Sequence, residues 1–409
     1  MEYPTLRRNI AAFPLEASGQ KVIGLRDPSD LSDKIVVVSY QSFFIISLFD
    51  GSHSLLDIKA EYTRKYGGML FTEQLEDIVK QLDEHYLLES ERYENYRLQL
   101  EEEFRKADLR TAVFAGKGYE SNPPMMRKQL ESFYDKPDGP GNDVPVQKGK
   151  PIKGIIAPHI DFQRGGPCYA WAYKELEASP SPEVFIIFGT AHVPTHNPFV
   201  LTRKKFGTPL GEIETERDIL ESLEGRVDFD LYQDEIIHKT EHSIEFQLVF
   251  LHHLYKDKKP FKIIPILCGS FHDVITEGST PQQKPYFADF IDALKETVAE
   301  SNYKTCFIAS ADLAHVGIRF GDPAPPSPAH LQSLESEDRK MLAYVEAVDE
   351  EGFYSSIRRE KDSRKICGLP PIYSLLRAMD ADEGSLLNYR QELEPDGSSV
   401  VTFASMVFH

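Results

Sequence analysis

The sequence predicts an α/β fold: a mostly parallel central sheet with helices on both faces, preceded by a small α+β domain of the winged-helix type. The first observation is length, because 409 residues are many for one hydrophobic core and favour two domains. The second is the alternation of short apolar runs with stretches of helical length from residue 154 onward, which is typical of parallel sheets. The third is that three of these runs are each followed directly by a histidine.

The composition restricts the classes of function. A hydrophobic fraction of 41% and a charged fraction of 27% are ordinary for a soluble globular protein. The net charge of −19 argues against a nucleic-acid partner, because backbone phosphates require a basic surface. No apolar run approaches the ~20 residues of a membrane span, and the N-terminus lacks a signal-peptide core. The four cysteines are far apart, so we expect a reduced, cytoplasmic protein without disulfides or a zinc ribbon.

Residues 1–104 form the first predicted domain. A β-branched run at Lys34–Tyr40 predicts a strand, and a helix is predicted at 41–49. Two further helices are predicted to begin with Ser54 and Thr72 as their N-caps. The last of them carries five acidic residues against one lysine, so we expect it to bind a partner or peptide rather than DNA. By its order of elements this domain resembles the PqqD-like group, which accompanies radical enzymes and holds peptides.

Residues 105–409 form the second predicted domain, which a charged helical stretch at 89–110 joins to the first. A loop rich in proline, glycine and aspartate is predicted at 136–150. Strands separated by helical lengths predict a mostly parallel sheet that is covered on both faces. The predicted strands are 154–157, 184–188, 262–267 and 305–309, and the predicted helices are 123–134, 167–178, 215–223, 242–255, 285–299 and 331–348.

Three of the predicted strands each deliver a histidine just past their last apolar residue. A proline ends the first strand and precedes His159, His192 follows the second, and Asp312 and His315 follow the third. A single histidine in such a place is more often a turn or core residue. Three with the same placement favour a functional site, because ligands of open α/β sheets bind at the carboxyl ends of the strands.

A fourth histidine, His242, stands beside Glu241 in the first turn of the predicted helix 242–255. The positive end of the helix dipole disfavours an imidazolium there, so a neutral His242 could bind a metal or accept a proton. The alternative is that Glu241 and the nearby His238 only cap the helix. We expect the four histidines of these motifs to share one pocket at the carboxyl edge of the sheet.

Six spaced segments together resemble the signatures of the MEMO family, which in bacteria and archaea includes the AmmeMemoRadiSam system protein B. The resemblance covers roughly residues 110–409 in order, and six spaced motifs make a chance agreement improbable. The segments are Ala-Pro-His159, Gly-Thr-Ala-His192, Thr-Pro-Leu-Gly211, Glu-His242-Ser-Ile-Glu, Ser-Ala-Asp312-Leu-Ala-His315 and Ile-Cys367-Gly.

The resemblance implies a fold similar to the class III extradiol dioxygenases, the LigB-like superfamily, which hold non-haem Fe(II) with two histidines and a carboxylate. It implies a divalent metal as cofactor, Fe(II) first and Zn or Cu as alternatives. It also implies partners, a radical-SAM enzyme and an AMMECR1-type protein of the same system. The residues it implies are His159 and His192 as metal ligands, and His242, Asp312 and His315 as catalytic residues.

The third metal ligand departs from the family pattern. Human-type members carry a cysteine directly before the last histidine of the Asp-x-x-His segment, where this chain has Ala314. Since alanine cannot bind a metal, the third ligand would have to be Asp312, His315 or His242, or the site is incomplete.

Three functions from different classes therefore remain open. The first is a dioxygenase-like oxidoreductase with Fe(II) on His159 and His192 and with His242 as the base. The second is a non-catalytic protein that binds a partner, a peptide or a small molecule on an enzyme-like fold. The third is a metal-handling protein without turnover. The fold does not decide between them, although convergent histidines and acids favour a functional pocket, because buried polar groups otherwise cost stability.

Overall fold

A computed structural model of the protein describes residues 1–17, 19–27, 34–141, 151–255 and 260–409. The chain divides into two units, Met1–Lys106 and Ala107–His409, and each contains a hydrophobic core of its own. Residues 142–150 of the predicted loop lie outside the described residues. Within the described ranges, no helix is long and apolar enough to cross a membrane.

The described residues of the first unit form a three-stranded antiparallel sheet and four helices. Its elements are β1 (Ala11–Ala17), β2 (Gln20–Arg26), β3 (Val36–Val38), α1 (Tyr40–Ile46), α2 (Leu55–Tyr66), α3 (Thr72–Glu84) and α4 (Glu91–Lys106). The strands pair in the order β1-β2-β3, and the buried core beneath them includes Leu25, Ile58 and Leu75. The hairpin of β1 and β2 was not predicted, since Pro14 interrupts the strand signal of a segment that lies at the sheet edge.

The two predicted N-caps in this unit have different outcomes. Ser54 caps α2 as predicted, in a capping box with the carboxylate three residues on. The prediction that Thr72 caps α3 is wrong. Phe71 is the N-cap residue, and its N–H donates to the side chain of Gln74 at 3.1 Å. The Thr72 hydroxyl instead accepts a hydrogen bond from Lys59 at 2.8 Å and so links α3 to α2.

The second unit is built on an eight-stranded mixed sheet. The strands of the unit are β4 (Leu109–Arg110), β5 (Gly154–Ala157), β6 (Val184–Thr190), β7 (Phe199–Leu201), β8 (Lys205–Thr208), β9 (Gly211–Ile213), β10 (Lys262–Cys268), β11 (Thr305–Ser310), β12 (Asp312–Gly317), β13 (Gly384–Leu393) and β14 (Ser399–Phe408). The large sheet has the order β12-β14-β5-β11-β6-β10-β7, with β13 also paired to β14, and β4, β8 and β9 form a small sheet.

The four central strands β5, β11, β6 and β10 are parallel, which confirms the predicted sheet at its centre. The outer strands were not predicted, and all their pairings are antiparallel: β7 with β10, β14 with β5, and β12 and β13 with β14. The segment from Asp312 to His315 was expected to be a loop after a strand. It belongs to β12 instead, because β14 offers it backbone partners along the sheet.

Helices cover both faces of this sheet, as predicted. They are α5 (Pro123–Ser132), α6 (Phe162–Ala178), α7 (Arg217–Glu224), α8 (Ser243–Tyr255), α9 (His272–Glu277), α10 (Pro285–Glu300), α11 (Pro328–Glu346), α12 (Glu350–Arg359) and α13 (Leu369–Ala378), with short 3-10 helices at Glu235–Lys239, Pro281–Gln283 and Ile318–Phe320. Successive residues of β6 point to opposite faces, so Phe185 and Ile187 pack in one core cluster and Ile186 and Phe188 in the other. Helix α6 begins before its predicted start because Asp161 caps it.

A buried ion pair joins β4 to the start of α8. The side chains of Arg110 and Glu245 are 0% and 1% exposed and bond directly to each other. The Glu245 carboxylate also accepts the Tyr119 hydroxyl at 2.5 Å and two backbone N–H groups. The Arg110 guanidinium donates to the carbonyl oxygens of His238 and Glu241 at 2.8 Å each. Both charges are therefore fully paired inside the protein, as buried charges must be.

Replacing Glu245 with alanine should lower the free energy of unfolding of the second unit by about 3–5 kcal/mol, because it leaves the Arg110 guanidinium buried without its carboxylate. Chemical denaturation followed by circular dichroism measures the change. Glu296→Ala is the control, since it removes an exposed partner of Arg226 and should cost about 1 kcal/mol or less. Equal losses for the two variants would show that the buried pair does not stabilise the fold.

A chain that begins at Ala107 should fold without the first unit. The reason is that the second unit contains its own sheet and its own core clusters, and Lys204 holds the backbone at Ala107 with a hydrogen bond of 2.7 Å. Circular dichroism and the elution volume on gel filtration test this. An aggregated or unfolded product would contradict the independence of the second unit.

Candidate metal centre

Three histidines meet at the carboxyl edge of the central sheet. His159 follows β5, His192 follows β6, and His242 directly precedes α8. Their ring centroids lie between 4.8 and 5.4 Å apart. One potential ligand atom of each histidine lies within 4.8 Å of those of the other two, and the described part of the chain holds no second group of this kind. The structure thus brings these three sequence-predicted residues together.

A backbone carbonyl orients the ring of His159. Its Nδ1 lies 3.0 Å from the carbonyl oxygen of Ser310, which can only accept, so Nδ1 carries the proton and Nε2 keeps its lone pair. Burial lowers the pKa of His159 well below its ordinary value, and the proximity of His192 and His242 lowers it further. His159 is therefore neutral at neutral pH, which is the state that a metal ligand requires.

The carboxylate of Glu241 orients the other two histidines. Nδ1 of His192 lies 3.0 Å from one of its oxygens, and Nδ1 of His242 lies 3.1 Å from the other. The same carboxylate accepts the backbone N–H groups of His192, His242 and Ser243 at 2.8 to 3.0 Å. Because both Nδ1 atoms face Glu241, both Nε2 atoms are left available for a ligand.

Glu241 and the neighbouring histidines shift one another's pKa values. Burial alone would raise the pKa of Glu241, but His192 and His242 outweigh it, so the pKa of this carboxyl lies well below its ordinary value. Burial likewise lowers the pKa of His192, but the charge of Glu241 more than reverses this, and the pKa is raised. A carboxylate that holds the Nδ1–H of a metal-binding histidine fixes its tautomer and increases its basicity. Glu241 stands in this position toward His192 and His242, and it also accepts the N–H of Ser243, the first residue of α8. The other residue of the capping alternative, His238, takes no part in this, since its Nε2 lies 3.0 Å from the carbonyl oxygen of Val200.

Asp312 lies beside His159. Its Oδ1 accepts the backbone N–H groups of His159 and Ile160 at 2.9 and 3.2 Å, and its Oδ2 lies 3.7 Å from Nε2 of His159. Burial raises the pKa of Asp312. Its clearest contribution is therefore to the shape of the turn that carries His159, with one oxygen close to the ring.

His315 is a neighbour of the three histidines and not a member of their group. It lies on β12, where its Nδ1 faces the carbonyl oxygens of Leu313 and Lys365 at 3.1 and 3.2 Å. Its ring contacts Phe320 edge-on. Burial lowers the pKa of His315, although the charge of Asp312 opposes this. The prediction was that all four histidines share one pocket. The ligand atoms of His315 lie outside the group that His159, His192 and His242 form.

Ala314 is fully buried in the hydrophobic core of the second unit. Its backbone N–H donates to the Thr402 hydroxyl at 2.9 Å. The absence of a cysteine at this position therefore does not leave the group short of a third residue, because His242 is already present.

Cys367 is a residue of the site that the sequence reasoning missed. Its Sγ lies 3.3 Å from Nε2 of His159 and 3.7 Å from the carbonyl oxygen of Asp312. Burial raises the pKa of the thiol well above its ordinary value, and the charge of Asp312 adds to this. The available signal was the Ile-Cys367-Gly segment, which was assigned no role. All four cysteines of the chain are free, as expected.

A chain of buried hydrogen bonds joins the strand ends to α8. The side-chain amide of Gln247 donates to the carbonyl of Pro158 and to the hydroxyl of Ser310, both at 2.7 Å. The Ser310 hydroxyl donates to the carbonyl of Ser243, whose own hydroxyl donates to the carbonyl of Thr190 at 2.9 Å. The ends of β5, β6 and β11 are thereby held against the start of α8, which places all three histidines.

A cavity of about 300 Å³ adjoins the histidines. His192 and Cys367 form part of its wall, so a molecule in the cavity would lie next to the donor atoms of the site. The remaining wall comes from the end of β6, from the end of β10 and the residues after it, and from the segment that connects α12 to α13 together with the start of α13.

Known proteins match this chain over the second unit or over nearly its whole length. The Memo-like protein family matches residues 110–407. A MEMO1 family protein of Aquifex aeolicus is 28% identical over 408 residues, which are 99% of this chain and 100% of that protein. A MEMO1 family protein of Methanopyrus kandleri is 31% identical over 310 residues, which are 73% of this chain and 98% of that protein.

A MEMO1 family protein of Thermus thermophilus is 26% identical over 355 residues, which are 87% of this chain and 98% of that protein. Among solved structures, an uncharacterized protein of Escherichia coli K12 aligns with a TM-score of 0.30 and 12% identity over 63% of this chain and 100% of that chain, a likeness too distant to bear on function. The family match spans almost the whole second unit, and the chain belongs to the Memo-like protein family.

Proposed function

We propose that the protein binds a divalent first-row metal ion through His159, His192 and His242, and that the metal acts on a small molecule in the adjoining cavity. The observation that supports this best is the convergence of three imidazoles whose Nδ1 atoms are all engaged by oxygen acceptors. Each ring therefore offers its Nε2 lone pair, and imidazole suits Fe, Zn and Cu ions.

The donor set fits such an ion. Three imidazoles, one buried anion behind two of them and a hydrogen-bonded turn behind the third are the parts of a preorganised metal site. The Cys367 thiol, next to Nε2 of His159, is an additional donor, and it would lose its proton on binding the metal. One oxygen of the Asp312 carboxylate holds the turn that carries His159, and the other lies 3.7 Å from Nε2 of His159.

A bound divalent metal would supply Lewis-acid chemistry or, as Fe(II), redox chemistry. Fe(II) follows from the resemblance to the class III extradiol dioxygenases, and Zn and Cu are the alternatives. The protein's own contribution is to hold three imidazoles in place and to keep Glu241 ionised behind two of them. On the resemblance alone, we also propose that a radical-SAM enzyme and an AMMECR1-type protein act in the same system.

The cavity beside the site favours a protein that brings a small molecule to the metal over one that only stores or transfers metal. A metal store needs no room next to its ion, whereas this cavity shares His192 and Cys367 with the site. Catalysis is consistent with this arrangement, and so is metal-dependent binding without turnover. These two roles are separated by identifying the molecule bound to the protein before and after incubation with metal and oxygen. A chemically changed molecule indicates catalysis, and an unchanged one indicates binding without turnover.

The metal assignment is tested by substituting the histidines one at a time. His159→Ala, His192→Ala and His242→Ala should each weaken the binding of Fe(II) or Zn(II) by more than the ten- to hundredfold that the loss of a supporting residue costs. Anaerobic titration with elemental analysis measures the affinity and the stoichiometry. Cys367→Ser shows in the same titration how much the thiol adds.

His315→Ala is the matched control for these variants, because His315 also stands at the carboxyl edge of the sheet but outside the group. It should retain stoichiometric metal. Equal, weak binding by wild type and all the variants would mean that the histidines are not ligands, and the binding-protein alternative would replace the proposal.

Glu241→Gln should weaken metal binding about ten- to hundredfold, because a neutral amide cannot hold both Nδ1–H groups as an anion does. The matched control for Glu241→Gln is Asp234→Asn. Asp234 receives the backbone N–H and the Nδ1 of His196 at 2.7 Å each, which is the same arrangement at an exposed histidine away from the site. The metal titration should not distinguish Asp234→Asn from wild type. If it also fails to distinguish Glu241→Gln, the supporting role of Glu241 is refuted.

A further inference from the structure

The segment between α12 and α13 has an unusual backbone. Three of its residues, Lys361, Asp362 and Lys365, have φ angles of 56°, 51° and 55° although none is glycine. Residues other than glycine seldom adopt this left-handed conformation, and they keep it only where the surroundings impose it. Such backbone often occurs next to functional sites.

Contacts on several sides hold this segment in place. Arg364 forms an ion pair with Asp338, whose side chain is fully buried. The carbonyl oxygen of Arg364 accepts the backbone N–H of His315 at 2.8 Å. The carboxylate of Asp362 accepts the backbone N–H of Ile366, also at 2.8 Å. The conformation is thus imposed by neighbouring β12 and α11 together with the segment itself.

The result of this conformation is that Lys365 and Cys367 both line the cavity beside the candidate metal centre. Lys365 is the only lysine or arginine among the described residues of the cavity wall. Its ammonium pairs with Asp322 at 2.8 Å, and the two side chains are 39% and 30% exposed. Asp322 does not line the cavity, and the partial exposure of both side chains leaves the Lys365 ammonium open to solvent.

The other charged and apolar groups of the wall restrict the ligand further. Asp362 and His272 also line the cavity, and the Asp362 carboxylate accepts the backbone N–H of Ile366. Phe271, Ile275 and Leu369 provide apolar surface. A volume of about 300 Å³ is at the small end of the range for ligand sites. The cavity therefore suits a small molecule with an apolar body and one anionic group.

We propose that this cavity binds a small amphipathic carboxylate, whose anionic group is held by Lys365 and whose apolar body packs against Phe271 and Leu369. This inference rests on the function proposed above, because the free end of such a molecule would lie toward His192 and the metal. Lys365 is then a residue that determines specificity, since a charge-assisted hydrogen bond selects the carboxylate over a neutral group of the same shape.

The test compares benzoate with benzamide, which have nearly the same shape and differ in charge. Both are titrated by calorimetry into the full-length protein loaded with Co(II), and the visible spectrum of the Co(II) reports whether the ligand lies beside the metal. Wild type should bind benzoate more tightly than benzamide. Lys365→Met should weaken benzoate about ten- to a hundredfold, the effect of one hydrogen bond to a charged group, and leave benzamide unchanged.

Two matched variants test whether the effect is specific to the charge of Lys365. Lys361→Met alters a lysine with the same left-handed backbone that does not line the cavity, and it should bind both compounds like wild type. Asp322→Asn removes the carboxylate partner of Lys365 but keeps an oxygen for the backbone N–H of Gly317, so it should strengthen benzoate binding severalfold. This second variant also serves if Lys365→Met does not fold.

Benzoate binding that is unchanged in Lys365→Met, or that falls equally in Asp322→Asn or Lys361→Met, would overturn the inference. The metal content of each protein is measured first. A wild-type protein that takes up no metal refutes the proposed function. A metal-loaded protein that binds benzoate no better than benzamide refutes only the role of Lys365.

Discussion

One buried carboxylate, that of Glu241, holds the candidate site together. It accepts three backbone N–H groups and faces the Nδ1 atoms of His192 and His242, so the loop after β6 and the start of α8 are tied to the same anion. An isolated charge would be costly at this depth, and the five N–H groups are what make the ionised state favourable. Without this anion, no group would orient both rings so that their Nε2 atoms face the centre of the three histidines.

The position of Glu241 depends in turn on the rest of the second unit. Its carbonyl oxygen accepts a hydrogen bond from Arg110, whose own charge is balanced by Glu245 one turn further along α8. On the other side, Gln247 of the same helix bonds to the ends of β5 and β11. Helix α8 therefore connects the buried ion pair, the strand ends and the histidines. Stability and site geometry share these contacts, so substitutions at Glu245 bear on both.

The sequence predicted the four central strands of the large sheet, but it did not predict strands in which polar and apolar residues are mixed. The four central strands are uniformly apolar and bury both faces, so their existence and direction could be predicted. Strand β12 could not, because Asp312 and His315 resemble a loop and only pairing with β14 makes them a strand. His159, His192 and His242 could be selected from their places at strand ends and a helix start. Cys367 could not, since its contact with His159 spans 208 positions of the chain.

The contact between Cys367 and His159 also changes the interpretation of Ala314. On the resemblance alone, an alanine in place of a cysteine left Asp312, His315 or His242 as the third ligand, or an incomplete site. In the structure Ala314 packs in the core, while His242 and Cys367 reach the site from α8 and from the segment before α13. That segment keeps its left-handed backbone through Arg364 and buried Asp338, and it also carries Lys365 into the cavity. One connection therefore supplies both a donor beside the histidines and the charge that is proposed to hold the ligand, so the proposed metal site and its proposed selectivity depend on the same contacts.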